Sequence, residues 1–201
     1  MKICVFGDSI SWGADDCING GWCDQLKNYL GELSDDTVYN LGVCGDTSKE
    51  ILARFENEFK ARKGEKLYFA IGINDSGCVD TPENPWIDEE QFAQNIQEII
   101  DKAKHLTDEE IIFIGPTNVD ETKTNPIKYS RLHYYTNDRI VKFDSTIKEI
   151  CQKEKTKFIS LLDLITVDDT DDGLHPNTVG HEKIFERIKE NVSGLIVNDN
   201  I

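Results

Sequence analysis

Short apolar runs alternate with amphipathic segments from one end of the chain to the other, and this alternation limits the possible folds. The runs have the length of buried strands and predict β-strands at residues 2–6, 37–41, 66–71, 111–114 and 158–162. Between them, apolar residues recur at helical spacing, which predicts helices over residues 21–33, 136–153 and 179–192 and after residues 47 and 88. Short strands with helical crossovers imply a three-layer α/β/α sandwich around a five-stranded parallel sheet.

Local signals predict where several of these elements begin and end. Thr47 and Glu50 have the spacing of a capping box, and Asp88 can cap the helix that follows it. We predict that residues 74–88, which contain two prolines, form a loop without regular pairing, and that Gly115-Pro116 ends the fourth strand. Residues 117–135 are irregular and long enough for a functional loop or a partly helical insertion, in which Tyr134 and Tyr135 would mark a lid or a subunit contact.

Composition narrows the class of protein. At 201 residues the chain fits one domain, which we predict over residues 1–197, followed by a frayed tail at 198–201. A net charge of −16 would repel phosphates, so we expect no nucleic-acid partner. We expect neither a signal peptide nor membrane insertion, because no apolar run approaches the required length. Six scattered cysteines without a C-x-x-C pair favour reduced thiols in a cytoplasm, with a Cys17–Cys23 disulfide as the alternative.

Polar and glycine residues follow four of the predicted strands. Ser9, Gly45 and Asn74 follow strands one, two and three, and His175 lies beyond strand five. Ligands of parallel sheets bind at the carboxyl ends of the strands, so these residues are expected to converge on one edge. The sequence therefore predicts a single site assembled from distant stretches of the chain.

These residue types suit nucleophilic catalysis. Ser9 needs a base, His175 is the candidate, and Asp172 is placed to orient the imidazole because Gly173 lets the loop fold back. The amides of Ser9 and Gly45 and the side chain of Asn74 can stabilise a developing oxyanion, and we expect Gly45 to allow close backbone approach. The predicted chemistry is transfer of an acyl group to water.

Further residues near the site are weaker candidates. We expect Asp8, Trp12, Pro116 and Thr117 to touch substrate, with Trp12 as a wall of an acyl pocket. Three other histidines have no evident partner and are interpreted as structural or solvent-facing, and two aspartates as makers of local turn hydrogen bonds. These are His105, His133, His181, Asp46 and Asp75. We predict no metal and no cofactor.

Four blocks of the sequence resemble those of the GDSL, or SGNH, hydrolase family. The blocks are Phe6-Gly7-Asp8-Ser9-Ile10, residues 40–48, Gly72-Ile73-Asn74-Asp75 and Asp172-Gly173-Leu174-His175-Pro176. The resemblance implies a flavodoxin-like SGNH hydrolase fold. It also implies Ser9 as nucleophile, Gly45 and Asn74 as oxyanion donors and Asp172 with His175 as the rest of the triad.

The function predicted from these observations is hydrolysis of a small-molecule acyl ester. The alternatives are a thioesterase or lysophospholipase that acts on longer acyl chains and, in a different class, a flavodoxin-like nucleotide-binding module with the same architecture. Against the last, the chain lacks a G-x-x-x-x-G-K-[ST] motif. The sequence does not indicate an oligomeric state.

Overall fold

The fold is an α/β sandwich, described by a computed structural model over residues 1–129 and 131–192. Five parallel strands form the main sheet in the order β2-β1-β3-β5-β8, which confirms the predicted fold class. Three short strands form a second, antiparallel sheet in the order β4-β7-β6. In chain order the elements are β1 (Lys2–Gly7), α1 (Ser9–Trp12), α2 (Gly21–Leu33), β2 (Thr37–Gly42), α3 (Ser48–Arg62), β3 (Lys66–Ala70), α4 (Ile73–Ser76), β4 (Cys78–Val79), α5 (Glu89–Leu106), β5 (Ile111–Thr117), α6 (Glu121–Thr124), β6 (Ile127–Lys128), β7 (Leu132–Tyr134), α7 (Asn137–Glu154), β8 (Lys157–Leu161), a 3-10 turn (Val167–Asp169) and α8 (Thr178–Asn191).

Both faces of the main sheet are buried, which explains why its strands are continuously apolar. Along β1, Ile3 and Val5 belong to the core beneath α2 and α8, and Cys4 and Phe6 to the core beneath α3, α5 and α7. Alternate side chains of a strand point to opposite faces, so each strand supplies both cores. Burial of these side chains at about 25 cal/mol per Å² is the main force that holds the helices on the sheet.

The predicted caps are present. Thr47 and Glu50 form a reciprocal capping box at the start of α3, and Asp88 accepts a hydrogen bond of 2.8 Å from the amide of Gln91 at the start of α5. These contacts satisfy amides that the first turn of a helix leaves unpaired. They also fix the loops after β2 and before α5.

The predicted loop over residues 74–88 contains regular structure, so that prediction is wrong in part. Residues 73–76 form α4, and β4 follows it directly. Val79 of β4 pairs in antiparallel register with His133 of β7. Pro82 and Pro85 lie beyond β4, so neither removes a donor from this pairing.

The fourth main strand does not stop at Gly115-Pro116. β5 continues to Thr117, and its pairing with β8 shifts register between Ile114 and Thr117. A bulge of this kind accommodates a proline, which has no N–H to donate. Gly115 is required there because a Cβ would lie 2.2 Å from Oδ1 of Asp144.

The segment over residues 117–135 contains a short helix and short strands, which fits the predicted partly helical insertion better than a functional loop. It contains α6, β6 and β7, and β7 joins this segment to β4.

All six cysteines are free, so the alternative Cys17–Cys23 disulfide is absent. No described helix is long and apolar enough to cross a membrane. The predicted tail at 198–201 lies outside the described residues.

Candidate active site

Ser9 lies at the carboxyl edge of the main sheet, in the first turn of the short helix α1. Asp8 caps this helix by accepting a hydrogen bond of 2.9 Å from the amide of Ile10. A Cβ at Gly7 would lie 2.1 Å from Oγ of Ser11 and 2.8 Å from a backbone oxygen of β3. Only glycine fits at this turn, and it lets the chain pass from β1 into α1 with Ser9 at the edge.

The structure brings Ser9, His175 and Asp172 into one chain of hydrogen bonds. Oγ of Ser9 lies 2.9 Å from Nε2 of His175, and Nδ1 of the same ring lies 2.7 Å from Oδ2 of Asp172. The other oxygen of Asp172 accepts hydrogen bonds of 2.8 Å from the amides of Leu174 and His175. Gly173 has a φ of +90°, a left-handed conformation that favours glycine and folds the loop onto itself.

The charged forms of Asp172 and His175 stabilise each other. Burial alone would raise the pKa of Asp172, but hydrogen bonds from the ring of His175 and from the amides of His175 and Leu174 hold that pKa well below its usual range. Burial alone would lower the pKa of His175, but the hydrogen bond to Asp172 and the charges of Asp172, Asp15 and Asp8 raise it. Asp172 is therefore ionised at neutral pH and stabilises a proton on the imidazole.

Asn74 and Gly45 lie beside Ser9 on the same pocket. Nδ2 of Asn74 donates a hydrogen bond of 2.9 Å to the carbonyl of Asp46, and Oδ1 accepts one of 3.2 Å from the hydroxyl of Tyr135. A primary amide has two N–H groups, so one remains for a ligand. Gly45 has a φ of +85°, and a Cβ there would meet no atom within 4 Å. The left-handed backbone conformation favours glycine at position 45.

These residues open onto a pocket of about 700 Å³. Its size is typical of small-molecule sites. Besides Ser9, Gly45, Asn74 and His175, its wall is built mainly from residues of two segments. They are residues 79 and 84–86, and residues 129, 131, 133 and 135, which include Val79 of β4 and His133 of β7. The larger side chains of that wall are Trp86, Tyr129, Arg131, His133 and Tyr135.

None of the four weaker candidates lines this pocket. Trp12 is 59% exposed and lies outside it, so the structure does not place Trp12 in an acyl-pocket wall. Asp8 is buried as a helix cap, and together with Pro116 and Thr117 it surrounds a separate cavity of only about 20 Å³. These three side chains line that separate cavity instead of the pocket beside Ser9.

Sequence reasoning missed much of the pocket wall. His133, interpreted as structural or solvent-facing, packs against Trp86, Tyr129 and Tyr135 with ring centroids 5.2, 5.7 and 6.3 Å away. The only signal was the pair of tyrosines at 134 and 135, which indicated a lid or a subunit contact. No local pattern indicates that β4 pairs with β7.

His181 fits its structural interpretation, but it has clear partners. It is buried, and its Nδ1 accepts a hydrogen bond of 3.3 Å from the amide of Trp22, so Nε2 carries the proton that bonds the carbonyl of Ala14 at 3.0 Å. His105 lies on the surface, with Nδ1 2.6 Å from the carbonyl of Asp101. Neither histidine belongs to the pocket.

Asp46 and Asp75 bond beyond their own turns, contrary to the prediction. Asp46 accepts a hydrogen bond of 2.7 Å from Nε of Arg54 on α3, and Asp75 accepts one of 2.9 Å from the amide of Ser48. Burial raises the pKa of Asp75 to about 7 although Ser48 bonds it. Both side chains tie the loops of the site to α3.

One group in the described part of the chain has the donor atoms of a cation site. Oxygens of Asp15 and Asp172 and a ring nitrogen of His175 lie within 4.8 Å of one another. Asp172 and His175 are already bonded to each other, so a cation would have to displace that contact. We assign no metal or cofactor to it.

Comparisons with known proteins find a matching family and solved structures of similar fold. The sequence model of the GDSL-like lipase/acylhydrolase family matches residues 5–183. The fold is similar to those of a lipase/acylhydrolase from Enterococcus faecalis (24% identity, TM-score 0.76, 94% of this chain and 93% of that one) and an α/β hydrolase from the metagenome of Lake Arreo (16%, 0.73, 94% and 93%). It is also similar to an acetylxylan esterase from Geobacillus stearothermophilus (18%, 0.72, 94% and 92%).

No curated protein sequence matches the chain. At these identities the solved structures show a shared fold, while the family match spans most of the sequence. The chain therefore belongs to the GDSL-like lipase/acylhydrolase family and is a carboxylic ester hydrolase.

Proposed function

We propose that this protein hydrolyses small or medium acyl esters through a covalent acyl-enzyme on Ser9. The observation that carries the proposal is the chain of hydrogen bonds from Ser9 through His175 to Asp172, with contacts of 2.9 and 2.7 Å, in which Ser9 and His175 line a pocket. A serine hydroxyl is a weak nucleophile until a base is within hydrogen-bond reach, and this geometry supplies one.

Acylation begins when Oγ of Ser9 attacks the carbonyl carbon of the ester and its proton passes to Nε2 of His175. Asp172 accepts a hydrogen bond from the N–H at Nδ1, which fixes the tautomer of the ring and stabilises the imidazolium. When the tetrahedral intermediate collapses, the carbon–oxygen bond to the alcohol breaks and His175 returns the proton to the departing oxygen.

Three neutral donors stabilise the negative oxygen of the intermediate in this proposal. They are the amides of Ser9 and Gly45 and the second N–H of Asn74, all on elements that follow strands of the main sheet. Donors that are fixed before the reaction lower the barrier without reorganisation. Water then attacks the acyl-enzyme, His175 takes its proton, and the acid leaves as Ser9 recovers that proton.

The pocket supports an ester with an apolar group. The lining includes the apolar side chains of Ala14, Val79, Pro85 and Leu174, together with aromatic rings. Burial of apolar surface is worth about 25 cal/mol per Å². A volume of about 700 Å³ accommodates a small or medium acyl group.

A structural neighbour offers a parallel for the histidine and the aspartate. Catalytic mutants of the acetylxylan esterase replace a histidine and an aspartate three positions before it. Asp172 and His175 have the same order and spacing in this chain. This likeness supports the assignment of these two residues.

The proposal is tested by steady-state hydrolysis of p-nitrophenyl esters from acetate to palmitate and of acyl-coenzyme A thioesters. We expect turnover of short and medium esters, and a loss of at least about 10³-fold in kcat for Ser9→Ala. Ser11→Ala is the matched control because it removes a hydroxyl two residues away on the same helix.

Robust turnover by Ser9→Ala would refute the mechanism. Activity confined to long-chain thioesters would refute the proposed substrate class. Equal losses in the Ser9 and Ser11 variants would mean that damage to α1, rather than removal of the nucleophile, explains the result.

A further inference from the structure

Two tyrosines beside β7 each bond one half of the site. The hydroxyl of Tyr129 donates a hydrogen bond of 3.0 Å to Oδ2 of Asp172, and that of Tyr135 donates one of 3.2 Å to Oδ1 of Asn74. We propose that both are positioning residues: Tyr129 sets the charge that Asp172 presents to its histidine, and Tyr135 fixes the amide of Asn74. This inference rests on the proposed acyl-transfer mechanism and extends it to the wall of the pocket.

Tyr135 and Asp46 together determine how the amide of Asn74 is oriented. The carbonyl of Asp46 can only accept, so Nδ2 must face it, and Oδ1 is left for the hydroxyl of Tyr135. A swap of the two amide atoms would place Oδ1 against the carbonyl of Asp46, where neither oxygen can donate. The remaining N–H of Asn74 is therefore held in one orientation beside Ser9.

The ring of Tyr135 is itself rigid. It is buried, and its backbone bonds Thr124 twice, through the amide at 3.0 Å and through the carbonyl at 3.2 Å. The ring lies nearly parallel to that of His133, with an interplanar angle of 7°. Its hydroxyl is a fixed support for Asn74 rather than a mobile contact.

Tyr129 shares one oxygen of Asp172 with the catalytic imidazole. Oδ2 accepts from Nδ1 of His175 at 2.7 Å and from the hydroxyl of Tyr129 at 3.0 Å. A second donor draws negative charge away from the first, so the imidazolium gains less from Asp172 than it would without the hydroxyl. Tyr129 thereby keeps the base from becoming too strongly protonated at neutral pH.

Other charged groups also face the imidazole of His175. Asp8 at the start of α1 and Asp15 in the turn after it raise its pKa, together with the aspartate that it bonds. His181 on α8 lies close enough for mutual repulsion, and burial lowers the pKa of His181. None of these three side chains bonds the hydroxyl at position 129, so among the described residues removal of that hydroxyl breaks the single hydrogen bond to Asp172.

The test compares Tyr129→Phe and Tyr135→Phe with Tyr134→Phe. Tyr134 is the matched control: it lies on β7, and no hydrogen bond of its hydroxyl is found in the described part of the chain. Phenylalanine keeps the ring in each case, and thermal unfolding checks that each variant folds. The measurements are kcat and KM against pH, and an NMR titration of the ring of His175 without substrate.

The two variants should differ in kind. Tyr129→Phe should move the titration of His175, and the acid limb of kcat/KM with it, upward by roughly half a pH unit. Tyr135→Phe should lower the plateau kcat by about tenfold or more, short of the 10²–10³ for loss of an oxyanion donor, without moving the acid limb or KM. Tyr134→Phe should do neither.

An unmoved His175 titration in Tyr129→Phe would overturn the role of Tyr129. A Tyr135→Phe enzyme with the kcat of Tyr134→Phe would overturn the role of Tyr135, and so would a change confined to KM. Failure of the proposed function is distinguishable, because it appears as turnover in Ser9→Ala. The NMR titration reports on Tyr129 whether or not the enzyme turns over.

Discussion

Asp144 on α7 is a buried carboxylate with little to compensate its charge, so Asp144→Asn should stabilise the protein at alkaline pH. The residue is 4% exposed, and the one hydrogen bond that it accepts within the described part of the chain comes from Oγ of Ser160 at 3.5 Å. Burial raises the pKa of Asp144 to about 6, although Ser160 and the charge of Lys148 act against the rise. In an unfolded chain the same group titrates near pH 3.9.

The sign and size of the effect follow from this difference. A folded-state pKa above the unfolded value means that stability is fully present below about pH 4 and is lost as pH rises through about 6. A difference of about two pH units corresponds to roughly 3 kcal/mol in the free energy of unfolding. Asparagine stays neutral and can still accept from Ser160, so Asp144→Asn should recover up to that amount at pH 8 and almost nothing at pH 4.

Urea and thermal unfolding followed by circular dichroism at pH 4, 6 and 8 measure the gain. For a chain of this size, 3 kcal/mol corresponds to a rise in Tm of about 6–12 °C at pH 8. Asp108→Asn is the control, because it removes a carboxylate of the same type from an exposed turn. Equal stability of Asp144→Asn and the parent protein at pH 8, or a gain of the same size at every pH, would refute the reasoning.

Three further outcomes are expected from the site and its supports. Asp172 raises the pKa of His175, and the base must be neutral, so kcat/KM should decrease at acid pH with a midpoint above the ordinary pKa of histidine. A kcat/KM that stays constant down to pH 5 would contradict this. Asn74→Ala should lower kcat by about 10²–10³ with little change in KM, and an effect on KM alone would count against its oxyanion role. Thr47→Ala should cost about 1 kcal/mol in urea unfolding by loss of the cap of α3, with Glu50→Gln milder; unchanged stability would show that the cap contributes nothing.

The main sheet and its long helices could be predicted because their signals are local. The helix over residues 21–33 has the predicted bounds, since its apolar face and its flanking residues lie within one stretch of sequence. The stripe from Phe92 to Ala103 is buried for the same reason. Apolar periodicity records burial directly, so elements that contact the core are visible without tertiary information.

The second sheet could not be predicted, because its strands are two or three residues long and pair across the chain. Cys78 meets Tyr134, and neither segment has a period of its own. Likewise, Pro116 was interpreted as the end of a strand, because the bulge that accommodates it depends on the register with β8. Both the pairing of β4 with β7 and the extent of β5 depend on contacts between segments that are distant in the sequence.

The site divides in the same way. Ser9, Gly45 and Asn74 could be placed at one edge because each follows a main strand. Contacts of Tyr129 and Tyr135 span 43 and 61 residues, and no spacing within the sequence indicates them. The site residues that follow main strands could therefore be predicted from the sequence, whereas the residues of the pocket wall could be identified only from the folded structure.

The most direct test of the central claim is covalent labelling with a fluorophosphonate probe, read by intact mass and peptide mapping. We predict one adduct per chain, located on Ser9, with no adduct in Ser9→Ala and slower labelling in His175→Ala. An adduct on another residue, or undiminished labelling of Ser9→Ala, would contradict the assignment of Ser9 as the nucleophile.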